Sequence, residues 1–188
     1  MLAGVELDLG AGEAAALVGP NGSGKTTLLR CVVGIDRPDE GEIRLDGRPV
    51  DESKAWFRAE VASVLDDVDF FADLSVVEHL ELLAYAHGVS DADVATELLA
   101  ALGLESARDQ LPVTLSSGQR RRLALASCFV RPRRLIVLDE PEQRLDTAGR
   151  AWLAEKLTAE KAAGRAVLLA SHDPQLVAAV ASIQLSLE

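Results

Sequence analysis

Gly19, Gly24, Lys25 and Thr26 stand at the spacing G-x-x-x-x-G-K-[ST], inside the run GPNGSGKTT at residues 19–27. Glycines at that spacing let the backbone turn tightly, so that several N–H groups point inward at one place. The chemistry that wants such a cradle is phosphate binding. Lys25 would bring a full positive charge to the outer phosphates, and the Thr26 hydroxyl a ligand for Mg2+. Asn21, Gly22, Ser23 and Thr27 complete the loop as candidate phosphate contacts. A second chemical pair lies far downstream. In LIVLDE, residues 135–140, four apolar residues carry Asp139 and Glu140 to a strand end. Asp139 is a candidate to hold Mg2+ through its water shell, and Glu140 to polarise an attacking water.

Such residues work only if the fold places them. A phosphate cradle needs a buried strand before it and a helix after it. AAALVG (14–19) is wholly apolar, as a buried strand requires, and KTTLLRCVVG reads as a helix stopped by Gly34. Around this unit, strands and helices alternate. GVELDLGAGE reads as a half-buried strand, and GEIRLDGRPV as a pair turning at Asp46-Gly47. VASVL, RLIVLDE, AVLLAS and SIQLSLE follow as further strands. Helical spacing marks SVVEHLELLAYAHG and DADVATELLAALG, with starts at Ser75 and Asp91, then SGQRRRLALASCFV, TAGRAWLAEKLTAEKAAG and the segment after Asp173. The pattern predicts an α/β fold. Its mostly parallel sheet core carries an antiparallel β edge, and a small helical subdomain at about residues 70–130 is inserted in a single domain 1–188.

With 188 residues, 48% hydrophobic, the chain fits one packed domain. A net charge of −11 and a pI near 4.7 argue against a general nucleic-acid binder, which needs a basic face, so no nucleic acid is expected as a partner. The basic clusters RRRL (120–123) and RPRR (131–134) read as solvated faces. Cys31 and Cys128 read as reduced core thiols, and Trp56 and Trp152 as packing residues. No uninterrupted apolar run approaches the roughly eighteen residues of a membrane span, and no signal-peptide pattern opens the chain. A membrane role would have to come through a partner.

Four elements now stand in order: GPNGSGKTT, LSSGQ (115–119), LIVLDE and Ser171-His172. Together they resemble the ATP-binding subunits of ABC transporters, over nearly the whole chain. LSSGQ is similar to the LSGGQ signature of that family, with Ser117 in place of a glycine. The resemblance implies a P-loop NTPase that binds ATP with Mg2+. It implies a head-to-tail dimer with a second ATP-binding subunit, the same or a different chain, closed on two ATP molecules. Ser116, Ser117, Gly118 and Gln119 of one chain would meet the nucleotide held by the other. Asp146 matches the D-loop aspartate of the family. His172 matches the switch histidine, which contacts the γ-phosphate, and so joins Glu140 and Lys25 as catalytic candidates.

The resemblance further implies that hydrolysis drives transport through a separate transmembrane permease subunit. The chain would then lie on the cytoplasmic side, peripheral on the inner face of the cell membrane. The small exporter-type subunits look most similar. Asp66 falls where the family has a glutamine, and a carboxylate there is a candidate Mg2+ ligand. The acidic stretch LDDVDFFAD (65–73) matches the family's docking surface and is expected to meet a basic helix of the permease. Only eighteen residues precede Gly19 and none is aromatic, so the family's adenine-stacking residue has no counterpart, and weaker adenine binding is expected. The alternative readings are a non-transport ABC ATPase and a weakly hydrolysing regulatory ATP-binding module.

Overall fold

The apolar runs become strands, and their order places the site. The computed structural model describes residues 4–65, 68–91 and 93–187. Along the chain the elements are β1 (Ala14–Val18), α1 (Lys25–Val32), β2 (Arg44–Leu45), β3 (Arg48–Pro49), α2 (Ala55–Glu60), β4 (Val61–Val64), α3 (Val76–Ala86), α4 (Val94–Ala101), α5 (Ser117–Phe129), β5 (Leu135–Asp139), α6 (Thr147–Ala162), β6 (Ala166–Ala170), α7 (Pro174–Val180) and β7 (Ile183–Ser186). Single 3-10 turns lie at Glu105–Ala107 and Pro112–Thr114.

Five strands form one sheet in the order β4-β5-β6-β1-β7. Every neighbouring pair in it is parallel. Buried parallel strands are covered on both faces, which is why the central runs β1, β5 and β6 are apolar without alternation, while the edge strand β7 alternates. The pleat then sorts them. Ala14, Ala16, Ile136, Leu138, Val167 and Leu169 face a core built with α3 to α7. Ala15, Leu17, Val137, Leu168 and Ala170 face the other, with Leu29 of α1 and Phe57 of α2. Leu169 is fully buried. Truncating such a leucine to alanine costs about 2–5 kcal/mol, a large fraction of a typical domain stability of about 5–15 kcal/mol.

Parallel register brings the strand ends to one edge. Leu17 of β1 and Asp139 of β5 are both paired in register with Ala170 of β6. The residues that follow, Val18-Gly19, Glu140 and Ser171-His172, therefore leave the sheet side by side. That carboxyl edge is where ligands bind in open α/β sheets.

Helix starts carry the caps that their sequences announce. Ser75 and Glu78 form a capping box at α3, and Ser116 and Gln119 form another at α5. Asp146 caps α6, and Asp173 caps α7 ahead of Pro174. α3, α4 and α5 pack on one another, and α5 also packs on β4.

Four expectations need correction. Residues 5–9 form no strand, because no neighbouring strand offers them a ladder, and Leu7 stands exposed. The antiparallel pair is a separate two-stranded sheet, β2 with β3, not an edge of the parallel one. α4 takes Asp93 as its N-cap residue, and Asp91 Oδ1 accepts from the Asp93 N–H instead of capping the helix.

The fourth correction concerns the two arginine clusters, which are solvated only in part: Arg120 and Arg134 are exposed, and their neighbours are engaged. Arg133 is buried against Glu160, which is only 3% exposed and also takes Lys156 and Arg165 as partners. Arg131 donates to the carbonyls of Arg58 and Val61. A buried carboxylate is tolerated only when it is paired, and this one gathers three cations.

Candidate functional site

β1 delivers Gly19 at the sheet edge with φ 150, where an added Cβ would sit 2.2 Å from the Leu187 carbonyl. No side chain fits there. Gly24 ends the loop with φ 92, as the left-handed N-cap of α1, and makes no side-chain cap. The first N–H groups of α1 are thus free of a capping side chain and face the loop opening with the positive end of the helix dipole.

Lys25 is 5% exposed, and its Nζ donates to the carbonyls of Gly19 and Pro20, each at 2.9 Å. The cation is curled inside its own loop. Ser23 Oγ is buried in the same loop without a hydrogen-bond partner. A buried hydroxyl left unpaired costs free energy that a ligand oxygen would recover. Asn21, Gly22 and Thr27 line the exposed side of the loop. The cradle therefore fits a phosphate group on its own terms: an orphaned donor, a buried cation and a helix start free of a side-chain cap.

The second pair closes on the first. Thr26 Oγ1 donates to Asp139 Oδ2 at 2.5 Å. A hydroxyl and a carboxylate in contact make a donor set for a hard cation. Among the described residues no three carboxylate, histidine or cysteine side chains form a metal cluster. The hydroxyl and single carboxylate fit Mg2+ by their own chemistry, since that ion keeps several waters and takes only one or two protein oxygens beside a phosphate. Asp66 lies outside the described residues, but its neighbour Leu65 lines the same cleft of about 380 Å³, with Thr26, Arg121, Asp139, Glu140 and Arg144.

Glu140 follows Asp139 with φ 45, a left-handed conformation that is strained for a residue with a side chain. The strain is held from two sides. The Glu140 N–H donates to the Ala170 carbonyl at 2.8 Å, and Arg121 Nη2 donates to the carbonyls of Asp139 and Glu140. The twist aims the Glu140 carboxylate at His172, whose Nε2 lies 3.2 Å from Glu140 Oε1. His172 is itself fixed by its backbone, which donates to Glu142 Oε1 at 3.0 Å.

The signature residues sit at the start of α5. Ser116 Oγ accepts from the Gln119 N–H, and Gln119 Oε1 accepts from the Ser116 N–H, so the two side chains organise each other. Ser117 is exposed. Gly118 packs against the carbonyl of Arg144, which an added Cβ would meet at 3.2 Å. Asp146 Oδ1 caps α6 through the Gly149 N–H, and its Oδ2 accepts from Arg122 Nη2 at 2.7 Å. The Gly149 bond and then the Arg122 charge hold the Asp146 carboxyl below the usual carboxylate range.

Thr26, Asp139, Glu140 and His172 are thus brought to one cleft edge, and the signature and Asp146 to a surface beside it. Sequence reasoning missed Arg121 and Glu142. Arg121 was hidden in a basic run. Glu142 follows Pro141 in a turn, where a carboxylate is ordinarily solvated, so its burial had no local signal.

Comparison with known proteins gives the family and the fold. The ABC transporter family description matches residues 2–143. The chain is 35% identical to the Nod factor export ATP-binding protein I of Cupriavidus metallidurans, over 89% of this chain and 56% of that protein. It is also 35% identical to the cytochrome c biogenesis ATP-binding export protein CcmA of Pseudomonas fluorescens, over 89% of this chain and 80% of that one. The chain therefore spans little more than half the length of the first of these relatives.

Among solved structures, an ATP-binding subunit of an ABC transporter superposes with a TM-score of 0.87 at 27% identity, covering 97% of this chain and 77% of that one. A dimeric bacterial ABC transporter cassette gives 0.84 at 25%, covering 96% and 83%. A family match across well over half of the chain, laid on this cradle and sheet order, makes the protein a member of the ABC transporter family as an ATP-binding domain.

Proposed function

We propose that this chain binds Mg-ATP in the cradle at residues 19–27, hydrolyses it, and couples that cycle to transport by a separate membrane-spanning permease. The observation that carries the reading is the meeting of Thr26 with Asp139, beside Glu140 and His172. Lys25 would exchange its two carbonyl partners for the outer phosphates. The Gly22 to Thr27 backbone and the Ser23 hydroxyl would hold the remaining phosphate oxygens. Thr26 and Asp139, with Asp66 a further candidate, would hold Mg2+, which would supply charge neutralisation for the phosphates. Glu140 would accept hydrogen bonding from the attacking water, and His172 would fix Glu140 and reach the γ-phosphate.

The exposed start of α5 supports a dimer. Ser116 to Gln119 of one chain would close over the nucleotide of a second ATP-binding subunit, with Asp146 at the same interface. Solved relatives include a dimeric cassette, and helix N-termini favour phosphate. The helices of about residues 70–130 would then act as the helical subdomain. Among the described residues no helix is long and apolar enough to cross a membrane. A peripheral place on the inner membrane face, through the permease, follows from the reading.

Asp69 and Asp73 are exposed around Phe71, which is itself half exposed. They suit a basic helix of the permease, and reversing the charges of Asp69 and of Asp67, which lies outside the described residues, is expected to weaken that association. The direct test of the whole reading is phosphate release from the purified chain with Mg-ATP, alone and with its permease, against an EDTA control.

A further inference from the structure

Glu142 is a carboxylate in a place that seldom holds one. It is 5% exposed, in the turn between β5 and α6. Its Oε1 accepts from Ser171 Oγ at 2.7 Å and from the His172 N–H at 3.0 Å. Its Oε2 is buried with no hydrogen-bond partner. Ser171, 2% exposed, passes the contact on, because its Oγ accepts from the Asp173 N–H at 3.0 Å. Asp173 then caps α7 through the N–H groups of Gln175 and Leu176 and pairs with Arg150. One buried side chain thus organises the whole turn from β6 to α7.

Burying a carboxylate is costly, and a neutral acceptor could satisfy one N–H more cheaply. What this side chain adds is one oxygen at the right reach that accepts two bonds at once, as a glutamine oxygen also could. Both bonds land on the residues flanking the Ser171–His172 peptide. His172 Nε2 in turn meets Glu140 Oε1 at 3.2 Å, and Glu140 is joined to Glu142 through Pro141, whose ring restricts the turn. The short segment 140–142 therefore holds His172 at both ends, the ring by Glu140 and the backbone by Glu142.

We propose that Glu142 is a positioning residue for hydrolysis: it fixes His172 over Glu140 and sets the rate without touching the nucleotide. This rests on the ATPase reading above. The role differs from general structural support in two ways. It acts through His172, and it needs an acceptor rather than a charge.

The test uses the full chain with Glu142→Ala, Glu142→Gln, His172→Ala and the Glu142→Ala/His172→Ala pair. Glu142→Ala is expected to lower kcat about tenfold with KM for ATP within about twofold, the pattern of an interaction made only on the way to the transition state. Glu142→Gln, which keeps the acceptor, should recover the rate to within about threefold of the parent. In the His172→Ala background, Glu142→Ala should cost less than about twofold more. Amide exchange at His172 is expected to quicken about tenfold in Glu142→Ala and to stay slow in Glu142→Gln.

Losses that multiply, a Gln variant as slow as the Ala variant, or unchanged exchange would each overturn the proposal. If Glu142→Ala does not fold, Ser171→Ala removes one atom of the same network and must show the same pattern. A parent chain that releases no phosphate would overturn the ATPase reading and the catalytic half of this proposal. The exchange measurement would still decide whether Glu142 holds the turn.

Discussion

Thr26 and Asp139 touch across 113 positions of sequence, through a hydrogen bond of 2.5 Å from Oγ1 to Oδ2. The parallel sheet makes this meeting possible, because β1 and β5 flank β6 and end at the same level. The contact defines where a hard cation would sit, at the mouth of the phosphate loop.

Removing either oxygen should therefore act through the metal. Thr26→Ala and Asp139→Asn are each expected to raise the Mg2+ concentration for half-maximal phosphate release by about tenfold or more. Nucleotide affinity in EDTA should change by less than about threefold. A metal titration of phosphate release, with a binding isotherm in EDTA, checks both.

His172 reaches Glu140 and is held by its own backbone. Replacing it with alanine removes the ring and leaves the Glu142 contact to its N–H in place. His172→Ala is expected to lower kcat about a hundredfold, with KM within about threefold. Steady-state rates over a range of ATP concentrations give the split.

His79 offers a pH signature. Its Nε2 lies 3.1 Å from Ser127 Oγ, its Nδ1 is buried without a partner, and its ring packs against Phe70 and Phe71. Burial pushes its pKa below the ordinary 6.5. The folded state therefore favours the neutral ring. The resulting stability is complete above about pH 6.5 and is lost as pH falls through the lower folded value. Melting temperature should drop between about pH 7 and 5 in the parent chain, and drop less in His79→Gln. Parallel slopes for the two chains would contradict this.

Cys128 should be inert. Burial pushes its thiol up to about 11, so almost no thiolate exists at neutral pH. Iodoacetamide at pH 8 is expected to leave Cys128 unmodified in the folded chain and to modify it after denaturation, as read by peptide mass.

Much of the fold and site was legible in the residues, where the signal was local. The apolar strands, the glycine loop and the capping serines each depend on neighbours within a few positions, and each stands where its sequence put it. The misreadings arose where a partner lies far away. Residues 5–9 alternate like a strand, but alternation says nothing of whether another strand will pair with them. The arginines of RRRL and RPRR look alike in sequence yet diverge in space. Arg121 goes to the Glu140 carbonyl, Arg122 to Asp146 and Arg133 to Glu160. Glu142 meets His172 thirty positions on, a contact that only the neighbouring strand ends create.

The central claim is that ATP joins this site to that of a second ATP-binding subunit, for which a second copy of this chain is the partner tested. Ser116 caps α5 and Ser117 stands exposed beside it, at a helix start suited to a phosphate from another subunit. The most direct measurement is the solution mass of Glu140→Gln, with and without Mg-ATP, by sedimentation. Glutamine should keep nucleotide binding and stall hydrolysis. The account predicts a species near the chain mass of 20.0 kDa without nucleotide and about twice that with Mg-ATP. A monomer under both conditions, with ATP demonstrably bound, would contradict it.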